Sequence, residues 1–207
     1  MAGNRILTEN GPAVSGIAGG LPKRAAGTIL ASPAARTAPA PFANASETSM
    51  EHKYSAPLAT VFGHLTDPKW LEARCLALGE LSAKVKVKKA GKGVKVSMTR
   101  RVKRNLPALI ARVLPSESDL QFEEIWTPEG DGYKGTLTMD VVGQPVSMTA
   151  EFSLEPAGKG CVYRIVHHAK CSIPLLGGPV ARYSQGEIEK GCDDELKYLA
   201  WALKKGK

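Results

Sequence analysis

Two residues combine reactive side chains with apolar surroundings. His167 lies between Ile165 and Ala169 in a stretch of strict alternation, and Glu124 lies between Phe122 and Trp126 in another. Imidazole exchanges a proton near neutral pH, and a desolvated carboxyl can stay protonated. The pair could therefore act as acid and base of a cyclase or dehydratase. Plainer readings stand beside this one. His167 can be a hydrogen-bonded core or pocket histidine, or can orient a ligand. Glu124, costly to bury unpaired, can meet His167 or an inward-facing Arg100. The expected case for Glu124 is different again: a bulge that turns Ile125 inward, or an exposed edge.

Stronger catalytic spacings are missing. The chain has no G-x-S-x-G, H-E-x-x-H or G-x-x-x-x-G-K-[ST] stretch. Cys75, Cys161, Cys171 and Cys192 show no C-x-x-C spacing and sit in apolar patterns. They read as reduced, buried thiols of a cytoplasmic protein, with no metal and no cofactor expected.

The elements that position these residues follow from periodicity. Pro179 to about Lys204 predicts one long helix. Ala181, Ile188, Cys192, Leu196, Leu199 and Leu203 form its apolar stripe, and Arg182, Glu187, Glu189, Lys190, Asp193, Asp194 and Lys197 lie opposite. Near the start, Glu51 to Ala56 predicts a short strand. Two short helices follow, the second capped by Asp67 with Pro68 at its first position and stopped by Gly79. Six alternating segments then run from Lys84 to Ile173, joined by glycine-rich turns. The fold class is α+β: a curved seven-stranded antiparallel sheet around a long C-terminal helix, with two short helices after the first strand.

A bent sheet of modest aliphatic residues against a long helix should leave a cavity. Its candidate lining is Val96 and Met98 from the first hairpin, Phe122 and Trp126 from the next strand, then Leu137 and Met139. Met148, Phe152, Ile165 and His167 follow from the last two strands. Ile188, Cys192 and Leu199 come from the helix, with Tyr183 as a polar anchor at one end. Leu106 to Leu114, an apolar stretch bracketed by Pro107 and Pro115, could plug the domain or flap over an opening.

Residues 84–104 hold ten basic groups and no acid in a chain of net charge +8, so the positive charge is concentrated there. Lys84, Lys86, Lys88, Lys95 and Arg101 form one face. That face suits an edge protected against aggregation or docking on an anionic membrane. Stacking aromatics are missing, which argues against nucleic acid. Residues 1–49, rich in Ala, Gly, Pro, Ser and Thr, are expected to be a disordered extension ahead of a domain at 50–207. Oligomeric state is not legible.

The element order and the stretches LPALIARVLP (106–115), WTPEGDGYKGT (126–136) and IPLLGGPVARY (173–183) resemble the START-like, helix-grip superfamily (SRPBCC). This superfamily includes polyketide cyclases and the birch-pollen allergens, and the chain looks most like an actinobacterial subgroup of unknown function. The resemblance implies a hydrophobic pocket between helix and sheet for a lipid or polyketide-like molecule. It brings no catalytic residue set.

Overall fold

Six segments of period-2 alternation, joined by short turns, can bury one apolar face only by pairing antiparallel. The structure is a computed structural model and describes residues 46–172 and 177–206. Residues 1–45, most of the expected extension, lie outside the described residues, as does Ile173. The chain runs β1 (Ser46–Tyr54), α1 (Leu58–Leu65), α2 (Pro68–Ala77), β2 (Ser82–Ala90), β3 (Gly93–Lys103), β4 (Glu117–Glu129), β5 (Gly132–Val141), β6 (Val146–Ala157), β7 (Gly160–Cys171) and α3 (Gly177–Lys205). The sheet order is β1-β7-β6-β5-β4-β3-β2, so β1 and β2 are its edges.

Local chemistry sets the joints. Three hairpins turn through two-residue loops whose first residue is Gly91, Gly130 or Gly158, at φ between +56° and +60°. Only glycine adopts that conformation without steric cost. Gly130, Gly132 and Gly135 spell G-x-G-x-x-G, but they span the β4–β5 hairpin with no helix following, so this is not a dinucleotide fingerprint. The Asp67 carboxylate accepts from the N–H groups of Lys69 and Trp70 and caps α2. α2 flanks the β2 edge, where the Val85 N–H donates to the Glu72 carboxylate at 2.8 Å. That contact takes up a backbone donor that would otherwise invite another strand.

Two features of the strands depart from the sequence reading. β1 starts at Ser46, where Ser46 pairs with Ala169, so four residues assigned to the extension belong to the sheet. β4 pairs without interruption with β3 and β5, and Ile125 is exposed. There is therefore no bulge, and Glu124 faces the core side with Phe122 and Trp126. The apolar stretch 106–114 carries a 3-10 turn at Ile110–Arg112, and the Ala111 and Leu114 N–H groups donate to the Pro107 and Ile110 carbonyls. Ile110 is buried in a small apolar cluster with Val146, Cys171, Val180 and Ala181.

The main core lies between the sheet's inner face and α3, where Leu196, Leu199 and Ala202 are buried. Glu187 and Glu189, expected on the solvent side, are half-buried, and Glu189 accepts from the Thr48 hydroxyl at 2.6 Å. Among the described residues no helix is long and apolar enough to cross a membrane.

Candidate functional site

The register stacks the inward residues in rows across the sheet. One row reads Val87, Val96, Glu124, Leu137, Ala150, His167, Thr48, and its neighbour reads Met98, Phe122, Met139, Met148, Ala169. α3 crosses above them. Phe62 of α1 stacks on Tyr133 with ring centroids 3.7 Å apart and meets Trp126 edge-on at 5.5 Å, closing one end. The 106–114 stretch closes the other.

Between these walls lies a hollow of about 110 Å³. Met98, Phe122, Trp126, Leu137, Met139, Met148, Ile165 and His167 of the sheet and Ile188, Cys192 and Leu199 of α3 line it. Val96 and Phe152 are core residues outside its lining, and Tyr183 lines a second hollow of about 60 Å³. The two hollows share Arg104, Leu120, Met139, Glu187 and Ile188. Arg104 Nε and Glu187 Oε2 lie 3.3 Å apart in that shared wall.

Apart from the inward-facing Arg100, sequence reasoning missed the charges beside the hollow. Arg74 of α2 and Glu195 of α3 pair at 2.9 Å, and Glu195 also pairs with Arg100 at 2.8 Å. Arg100 Nε donates to both carboxylate oxygens of Glu80, and its guanidinium lies over the Phe122 ring at 4.7 Å. Burial opposes the charge on Arg100, but Glu195 and the Glu80 hydrogen bond outweigh it and hold the guanidinium protonated. Burial likewise works against ionised Glu195, yet Arg74 and Arg100 overcome it and keep the carboxyl below its ordinary range. A signal existed in the sequence: Glu195 lies seven residues after Ile188 and four before Leu199, squarely on the apolar stripe.

Glu124 differs from its neighbours. Arg100 does not take it up. Instead its Oε2 accepts from the Trp126 indole N–H at 3.0 Å. Burial pushes its pKa up, with the indole bond and the two arginines offsetting only part. Accessible surface remains on Glu124 because it borders the hollow, while protein surrounds it on every other side. His167 is buried, its Nδ1 has no hydrogen-bond partner among the described residues, and burial lowers its pKa toward the neutral form. Three strand spacings separate Glu124 from His167, about 14 Å along the sheet. They face one hollow without reaching each other. Cys192, also on its wall, has a thiol pushed up to about 12 by burial, which makes it a poor nucleophile.

The basic hairpin divides in two. On β3, Lys95 pairs with Glu123 at 2.6 Å, and Arg101 pairs with Glu117 and Asp119 at 3.2 and 3.4 Å. On β2 and its turn, Lys84, Lys86, Lys88, Lys89 and Lys92 make no ion pair among the described residues. Among the described residues no His, Cys, Asp and Glu cluster could hold a metal, and the four thiols are unpaired.

The architecture recurs widely: 177 chains of solved structure match it, so by itself it singles out no activity. TTHA0849 from Thermus thermophilus superposes with a TM-score of 0.57 at 15% identity, over 78% of this chain and 99% of that one. A putative uncharacterised protein from Rhizobium leguminosarum gives 0.53 at 11% identity, over 78% and 95%. Ms6760 from Mycobacterium smegmatis gives 0.51 at 10% identity, over 78% and 92%. At these identities the likeness is one of fold. No curated protein matches the sequence. A family profile matches residues 49–202, nearly the whole of the sheet and α3, and the chain therefore belongs to the family described as Protein of unknown function (DUF2505).

Proposed function

We propose that this protein binds a small, largely apolar molecule between its sheet and α3, as a carrier or sensor. The carrying observation is the hollow of about 110 Å³, walled by methionine, leucine and isoleucine and touched by a few converging polar groups. A space of this order admits a benzene-sized guest. A longer lipid or polyketide-like chain needs the Arg104–Glu187 wall to open into the second hollow. The element order supports placing the family within the START-like superfamily, and the sequence stretches support its actinobacterial branch. Four unpaired thiols suit a reducing, cytoplasmic setting. Native mass spectrometry of the full chain purified from its source tests the reading. A co-purifying organic adduct is expected, and protein free of adducts that also rejects every small apolar compound offered would end it.

A second reading has its own observation. The unpaired lysines of β2 and its turn follow the exposed Leu76, Leu78 and Leu81 directly in the chain. Basic and apolar groups in one stretch of chain suit an anionic bilayer, onto which a carrier would unload. Co-sedimentation with phosphatidylserine vesicles should exceed that with neutral phosphatidylcholine and fall with added salt; equal binding to both lipids rules this reading out.

A further inference from the structure

Building on the hollow as a binding cavity, we propose that its guest is a small carbonyl compound whose oxygen accepts hydrogen bonds from Arg74 and from the Glu124 carboxyl group. Arg74 is 5% exposed and lines the hollow. Its terminal nitrogen is engaged by Glu195, and its Nε–H has no acceptor among the described residues. A guanidinium N–H can only donate, so the group it lacks is an acceptor. Glu124 supplies the second half. One of its oxygens is held by the Trp126 indole, and the other takes no hydrogen bond from the described residues. Burial favours its protonated form, which turns that free oxygen into a donor facing the hollow.

The surrounding charges select a neutral oxygen. Arg74 on α2, Arg100 on β3, Tyr163 on β7, and Cys192 and Glu195 on α3 all act on Glu124 electrostatically. The two arginines are already matched by Glu80 and Glu195. A cationic guest would face both guanidiniums, and an anionic guest would compete with Glu195 for Arg74. A carbonyl oxygen satisfies both donors and adds no charge. The hydrocarbon part then meets Ile165 and the flexible Met98, Met139 and Met148, whose side chains adjust to its shape.

The test uses three ring compounds of matched size with the full chain: cyclohexanone, methylenecyclohexane and cyclohexylamine. Binding is read from the Trp126 indole N–H signal in nitrogen-15 NMR. Cyclohexanone should bind about tenfold tighter than methylenecyclohexane at pH 5, with the ratio shrinking as pH rises through the folded value of Glu124. Glu124→Gln, whose amide donates at every pH, should hold the ratio constant. Glu124→Leu, which leaves Arg74 as the sole donor, should lower the ratio below the parent's at pH 5 and remove its pH dependence, while methylenecyclohexane still binds. Equal affinities in the parent protein, or tightest binding of cyclohexylamine, would overturn the carbonyl assignment and leave the cavity reading standing. Binding of none of the three would overturn both.

Discussion

Glu124 makes the balance between hydrophobic burial and charge measurable at a single residue. Its folded pKa is raised above the ordinary 4.5 by burial, so the folded chain holds that proton more tightly than the unfolded chain does. The sign follows from linkage. The contribution to stability is fully present below about pH 4.5 and is lost as pH rises through the folded value. Glu124→Gln keeps an acceptor for the Trp126 indole and never ionises. Its melting temperature should exceed the parent's at pH 8, and the gap should close toward pH 4.5; a gap that widens toward acid would contradict the burial argument. His167 has the opposite sign. Its folded pKa is lowered by burial, so its contribution is present above about pH 6.5 and is lost as pH falls through the folded value. His167→Gln should flatten the acid side of the stability profile measured by thermal melting from pH 7.5 to 5.

The strand carrying Glu124 owes its packing to a glycine on the next strand. Gly135 stands between Trp126 and Phe152 in the same row of the sheet, and the Phe152 ring lies across it. A Cβ there would collide with Phe152 Cε2 and with the Ile125 carbonyl oxygen, and the latter is backbone that cannot swing aside. Trp126 and Phe152, with ring centroids 4.3 Å apart, would both have to move. Gly135→Ala should therefore cost about 1–3 kcal/mol in urea unfolding and shift the Trp126 indole signal. Much of this level was legible in the sequence. Period-2 alternation placed Met98, Leu137, Met148 and Ile165 on one face, and the 3.6-residue period placed Ile188, Cys192 and Leu199 opposite them. The charged network was not legible as a network. Arg74, Glu80, Arg100 and Glu195 come from four separate segments, and only the folded chain brings their charges within reach of one another. Glu124 misled for a related reason: an unpaired carboxylate in an apolar row looks like a bulge until the indole that holds it is located.

At the scale of the whole molecule, the sheet and α3 form a sleeve stopped at one end by the rings of Phe62, Tyr133 and Trp126, and at the other by the apolar stretch around Ile110. Replacing Leu199, 1% exposed, by Ala should cost about 2–5 kcal/mol. It should also enlarge the hollow that Leu199 lines, so guests slightly bigger than cyclohexanone gain affinity while global stability falls. Titration with 4-methylcyclohexanone alongside urea unfolding checks both halves. The partition between the two hollows behaves differently from the rest of the sleeve, because Arg104 and Glu187 each keep about a third of their side-chain surface in water, 33% and 36%. Electrolyte at 1 M shortens the range of such an attraction to about 3 Å, whereas apolar walls are untouched by screening. A two-ring ketone such as 2-decalone should then be admitted at 1 M sodium chloride and refused at low salt, with cyclohexanone as the indifferent control. Ionic strength, in that case, sets the bore of this protein.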